Sequence, residues 1–178
     1  MSHMKDKKTG RAGKAVIASM LGLILAGCAQ VKNVPPGSSF TEVESQFGKP
    51  TLTCPLPSGG TRAIWSQQPY GHFAWATDIS PEGDTGEMVQ VLTDESFNRL
   101  ERGIWTAEDV RCAFGPPAII DEVGLPAVRT KVWSYRYRQN GVWYSLMYIY
   151  FPLNADRVLK YNAGPDPMFE QDNPFPRL

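Results

Sequence analysis

An α+β fold built from two tandem units is expected, each of short helices packed on a three- to four-stranded antiparallel sheet. Three observations lead there. A short helix with a fixed stop recurs 67 residues further along the chain. Each copy is followed by aromatic, strand-like sequence. An Asn-Gly turn sits inside the longest alternating run. Helical sequence followed by runs of strands, rather than strict βαβ alternation, indicates α+β layers.

The recurring helix is read from matched residues. Val43 and Val110, Phe47 and Phe114, Gly48 and Gly115, and Pro50 and Pro117 occupy equivalent places, and Glu42 matches Asp109. Ser39 and Thr106 stand where an N-cap is needed, and acidic residues in the first turn suit the positive end of the helix dipole. Ser39 with Glu42 fits a capping box, and Thr106 with Asp109 is a shorter-armed variant. Val and Phe four apart share one helix face. Gly then ends the helix in a left-handed turn, and the Pro beyond it prevents resumption. Each helix is about two turns long.

Strands are expected over residues 61–65, 73–79 and 88–93 in the first half, and 128–138, 142–151 and 157–161 in the second. Trp65 and Trp133 fall at nearly corresponding places. In the second half Trp133, Tyr135 and Tyr137 alternate with Ser134, Arg136 and Arg138, the period of a half-buried strand. Gln139-Asn140-Gly141 is a strong hairpin signal. Residues 94–101 read as a helix, which Gly103 separates from the next. The units are therefore 38–93 and 94–162. The Pro-rich stretch 163–178 reads as an irregular tail.

The N-terminus carries an address. Lys5, Lys7, Lys8, Arg11 and Lys14 precede an apolar run of 12 residues, 15–26. That run is shorter than the roughly 20 residues that span a bilayer. Leu25-Ala26-Gly27-Cys28 is the lipobox pattern of a bacterial lipoprotein. Residues 1–27 are thus expected to be a signal that is removed, with Cys28 the lipid-attachment residue. Three acyl chains exceed the two anchoring signals that stable membrane binding requires. Ala29 is not the Asp that holds many such proteins in the inner membrane, so the periplasmic face of the outer membrane is expected. Residues 28–37, with Pro35-Pro36, form the tether.

Removing residues 1–27 takes away five basic residues and one acidic residue, leaving 13 Lys+Arg against 17 Asp+Glu, a net charge of about −4. This argues against nucleic acid, whose binding needs concentrated positive charge. Cys54 and Cys112 remain after lipidation. In an oxidising compartment they are either joined or two buried thiols. They make no metal site, since His72 is the sole histidine of the mature chain and no ligand spacing is present. Neither cofactor nor metal is expected.

An enzyme would need a reactive constellation. The chain has no Gly-x-Ser-x-Gly, no phosphate-cradling loop and no His-Glu-x-x-His. His72 reads as a surface or packing histidine. A binding role fits better. Five tryptophans and seven tyrosines are more than two small sheets need. Aromatic residues and Arg are the usual interface anchors. Trp133, Tyr135, Arg136, Tyr137, Arg138 and Trp143 form the candidate partner-binding set, with inter-repeat packing as the competing explanation.

Residues Leu100-Glu101-Arg102-Gly103-Ile104-Trp105-Thr106-Ala107-Glu108-Asp109-Val110, Phe114-Gly115-Pro116-Pro117 and Trp133-Ser134-Tyr135 resemble the SmpA/OmlA (BamE-like) family pattern. The first half echoes it with Val43, Phe47-Gly48-Lys49-Pro50 and Trp65, but has Gln67 in place of the Tyr. The resemblance covers most of 36–161. It implies a small periplasm-facing lipoprotein, the best-known member being an accessory subunit of the outer-membrane barrel assembly machine. The tandem arrangement also resembles the β-lactamase-inhibitory-protein architecture. A non-catalytic scaffold in outer-membrane protein assembly or envelope integrity is therefore expected, with a protein partner. The alternative is an inhibitor or ligand-binding module for a periplasmic enzyme.

Overall fold

A computed structural model describes residues 34–169. The signal segment, Cys28 and the start of the tether lie outside the described residues, as does the end of the tail, 170–178. The chain runs α1 (Phe40–Phe47), β1 (Leu52–Pro55), β2 (Thr61–Ser66), β3 (Ala74–Ile79) and β4 (Val89–Gln90). Then come α2 (Asp94–Asn98), a 3-10 turn (Arg99–Glu101) and α3 (Ala107–Phe114). It closes with β5 (Ile119–Val123), a second 3-10 turn (Pro126–Val128), β6 (Thr130–Gln139), β7 (Trp143–Pro152) and β8 (Lys160–Pro165). The fold is α+β, with two four-stranded antiparallel sheets in the orders β1-β2-β3-β4 and β5-β6-β7-β8. The same order of one helix and four strands occurs twice, as two tandem units require.

The helix starts differ from one another. Thr106 and Asp109 make the expected capping box: the Thr106 side chain accepts from the Asp109 N–H, and Asp109 accepts from the Thr106 N–H at 2.8 Å. Ser39 makes no side-chain cap. Its backbone bridges Asp84 instead, and the Phe40 N–H donates to the Gly83 carbonyl at 2.9 Å. The 80–85 turn thus satisfies one orphan donor of the first helix start, whereas in the second unit the Thr106 side chain satisfies a different one, the Asp109 N–H.

The helix stops match closely. Gly48 has φ 77° and ψ −177°, Gly115 φ 86° and ψ −171°. This is not the left-handed helical region expected from sequence but the extended region at positive φ, which is essentially reserved for Gly. A Cβ on Gly115 would also lie 3.2 Å from the Ile64 Cγ2, whereas one on Gly48 meets nothing within 4 Å. Gly115→Ala is expected to cost about 1–3 kcal/mol from the backbone. Gly48→Ala should cost less, because it adds no packing conflict. Urea unfolding of the two variants checks both the loss and its order.

Both sheets feed one core. Ile64, Ala74 and Ala76 from the first pack in a single buried cluster with Trp133, Tyr135, Tyr137, Met147, Ile149 and Phe151 from the second. Phe97 of α2 is its centre, fully buried, with ring centroids 4.7 Å from Phe114 and 5.1 Å from Tyr137. Neighbouring strand residues point to opposite faces. Ile64 accordingly meets the Gly115 end of α3, while Trp65 turns towards α1 and donates its indole N–H to the Gly48 carbonyl at 2.9 Å. The Tyr135 hydroxyl makes the equivalent bond to the Gly115 carbonyl at 3.0 Å. Helix α3 therefore touches both sheets. Cys54 on β1 and Cys112 on α3 are joined by a disulfide with a Cα separation of 5.8 Å, a covalent link between the units.

Several strand expectations are corrected. Strands β1 and β5 went unanticipated. Strand β4 is only a two-residue pairing, extended by one backbone bond from the Val91 N–H to the Ala74 carbonyl at 2.8 Å, and Val91 and Leu92 are buried in the core. Strand β8 extends to Pro165, into the stretch expected to be an irregular tail, and Asp166 beyond it is buried. Its place at a sheet edge tolerates the terminal Pro.

Candidate functional site

The long strand β6 carries most of the residues expected to bind a partner, and the fold separates them. Trp133, Tyr135 and Tyr137 face the helices and are buried, Tyr135 and Tyr137 completely. Burial pushes the phenols of both tyrosines well up, with Asp94 adding to the effect at Tyr137. They are internal packing, not an accessible patch. Arg136 points the other way but is also buried. Arg138 is half-buried, its guanidinium 4.3 Å above the Tyr144 ring. Of the six, Trp143 alone is largely exposed, at 67%. It sits beside the Asn140-Gly141 turn, where Asn140 has a positive φ of 50° as such a turn requires.

The face of β6 that turns away from α3 carries a cluster that sequence reasoning did not assemble. Arg136 Nε lies 2.8 Å from the Asp166 carboxylate, and the two side chains are 7% and 0% exposed. Arg136 Nη1 donates to the Pro69 carbonyl at 2.6 Å. The Gln68 amide accepts from the Arg136 N–H and donates to the Arg136 carbonyl, at 3.2 and 2.8 Å. It thereby extends the ladder where β5 stops. Asp166 Oδ1 accepts from the Met168 N–H at 3.1 Å. His72 lies 4.8 Å from the Tyr144 ring and 5.0 Å from Phe169, which itself stacks on Tyr144 at 4.3 Å. The loop between β2 and β3 and the segment 166–169 are thus clasped together over the second sheet. No short motif marks this. Asp166 stands in Pro-rich sequence, and its partner is contributed by a distant strand.

Burial lowers the His72 pKa from its ordinary 6.5; Asp166 opposes the shift, while Arg138 and Arg136 add to it. The folded protein therefore holds His72 neutral where the unfolded chain would protonate it. Its contribution is complete above about pH 6.5 and declines as pH falls below that, because the unfolded state then binds more protons. His72→Phe should keep the ring contacts and flatten the fall in melting temperature between pH 6.5 and 5. Thermal melts across that range compare the two chains.

A second surface is apolar. Strand β5 forms an outer edge of its sheet, and all five of its residues are exposed. Ile120 is 61% exposed, and beyond the strand Leu125 and Val128 reach 74% and 68%. Ile119 and Val123 are also exposed. The equivalent edge strand of the first unit, β1, is bonded to α3 through the disulfide and buries Cys54. Among the described residues no disulfide ties β5 to a helix in this way. An open strand edge offers unpaired N–H and C=O groups to another chain, and Asp121 and Glu122 in its middle restrain indiscriminate pairing.

Among the described residues no three His, Cys or carboxylate side chains converge as metal ligands. Comparison with protein-family models, with curated proteins and with solved structures finds no match.

Proposed function

We propose that this chain is a lipid-anchored, periplasm-facing binding protein of the outer membrane, similar in role to the SmpA/OmlA (BamE-like) lipoproteins and acting without catalysis in outer-membrane protein assembly or envelope integrity. The observation that carries the binding role is the open β5 edge with its exposed Ile119, Ile120, Val123, Leu125 and Val128. Exposed apolar residues on either side of Asp121 and Glu122, beside a strand at the sheet edge, make the kind of surface an extended partner segment uses. The lipobox at Leu25–Cys28 supports the anchoring, and the oxidising compartment it implies suits the Cys54–Cys112 bridge.

Two tests separate the parts of this reading. Cys28→Ala should release the protein from membranes, and persistent membrane fractionation would sink the anchor. A photo-cross-linker at Ile120 should trap a barrel protein or an assembly component. One placed at Glu82, on the exposed 80–85 turn, should not. Equal yields at both positions would remove β5 as the docking edge.

A further inference from the structure

Beyond residue 27 the chain holds more acidic than basic residues, yet three arginines meet at one place. Arg62 of β2, Arg99 of the first 3-10 turn and Arg102 just beyond it line a pocket of about 490 Å³. Leu56, Ile104 and Trp105 are among its apolar walls. Asp109 is the one carboxylate of the lining.

The bonds these residues make leave positive charge over. Asp109 is engaged in the α3 capping box, accepting from the Thr106 N–H at 2.8 Å and the Thr106 hydroxyl at 2.7 Å. Arg62 Nη1 lies 2.8 Å from the Asp78 carboxylate, which neutralises that guanidinium. Arg99 and Arg102 are exposed and have no carboxylate partner among the described residues. Trp105 positions the first of them. Its ring stacks on buried Phe114 at 6.1 Å, and its indole N–H donates to the Arg102 carbonyl at 2.9 Å. The Arg99 guanidinium carbon lies 5.5 Å from the centre of that ring. A guanidinium set against an aromatic face keeps the in-plane N–H donors of its fork free. Like charges gathered around one pocket repel, and a bound anion removes that cost.

We infer that this pocket binds a phosphomonoester whose organic group is apolar. Guanidinium forks match the oxygens of carboxylates and phosphates. Two unpaired forks suit two negative charges, and a phosphomonoester concentrates about −1.5 to −2 on one centre at neutral pH. Its three outer oxygens meet donors from several sides at once, which a single carboxylate cannot do. The exposed Ile104 and the Trp105 ring offer apolar contact to the group that carries the phosphate. Water-soluble esters and lipid headgroups share this chemistry. The inference goes beyond the binding reading and depends neither on the anchor nor on the β5 edge.

The test uses the full chain in mild detergent and follows the Trp105 indole N–H signal by NMR. The probes are phenyl phosphate, inorganic phosphate, benzenesulfonate, succinate, and micelles doped with phosphatidic acid. Saturable shifts at millimolar phenyl phosphate or below are expected. Inorganic phosphate lacks the ring, benzenesulfonate carries a single charge, and succinate spreads its two charges apart, so each should bind at least tenfold more weakly. Arg99→Gln and Arg102→Gln should each weaken phenyl phosphate binding by about tenfold or more, the size of a lost charge-assisted hydrogen bond. Because both side chains are exposed, the melting temperature should be nearly unchanged. Tighter binding to the doped micelles than to phenyl phosphate, lost in both variants, would assign the phosphate to a lipid; the reverse order would assign it to a soluble ester. Equal binding of benzenesulfonate or succinate, or binding that neither variant weakens in a folded protein, would overturn the assignment. So would shifts that spare Trp105, because the ligand would then sit elsewhere. Failure here with cross-linking at Ile120 intact would remove the phosphate site and leave the binding role standing.

Discussion

Loss of the Cys54–Cys112 disulfide should destabilise the protein by about 4 kcal/mol, the loop-entropy value for a separation of this size. The bridge closes a loop with a sequence separation of 58 and ties the edge strand of one unit to the helix of the next. Apart from this bond, α3 is held on β1 and β2 by side-chain packing, such as Ile64 against Gly115. Breaking it frees the two segments from each other in the unfolded chain, while the shared core still holds them together in the folded one. The double variant Cys54→Ser, Cys112→Ser gives the measurement by urea unfolding. Added reductant should then shift the parent chain and leave the variant unchanged. A loss under about 1 kcal/mol would mean that inter-unit packing alone fixes the arrangement.

The second large effect is expected at Asp166. Its carboxylate is fully buried against Arg136, itself buried. Removing one partner of such a pair strands an uncompensated charge and typically costs 3–5 kcal/mol. Asp166→Ala should therefore destabilise far more than its place near the end of the chain suggests. It should also release 166–169 from Tyr144 and His72, raising amide exchange there before the rest of the molecule. Replacing both partners by apolar residues, Arg136→Met with Asp166→Leu, should recover most of the loss, because the attraction between buried charges is offset by their desolvation. If the single variant is as stable as the parent, the pair is not what holds the segment down.

Much of the architecture was legible because it rests on local chemistry. Val43, Phe47, Gly48 and their counterparts gave both helices and their stops. The Asn-Gly turn placed the β6–β7 hairpin, and the alternation along β6 put Trp133, Tyr135 and Tyr137 on one side. The missed strands have weak local signals. Strand β1 is four residues long and ends in Pro, and β5 has adjacent carboxylates, Asp121 and Glu122, at its centre. Register and sheet-edge position make them strands, and neither is encoded in a short window. The binding set was misplaced for a related reason. Aromatic richness reads alike for a core and for an interface. Only the packing of Phe97 and Phe114 against Tyr135 and Tyr137 decides between them. The Arg136–Asp166 pair joins residues 30 apart in sequence, so no motif could announce it.

The most direct test of the binding role is a mild-detergent purification of the natively expressed, tagged chain beside its Ile120→Lys, Val123→Lys variant. The expected result is an outer-membrane barrel protein or an assembly component in stoichiometric amount with the parent and absent from the variant, both chains being equally folded and equally membrane-bound. A parent chain that purifies alone, or a partner retained in full by the variant, would contradict a binding role carried by the β5 edge.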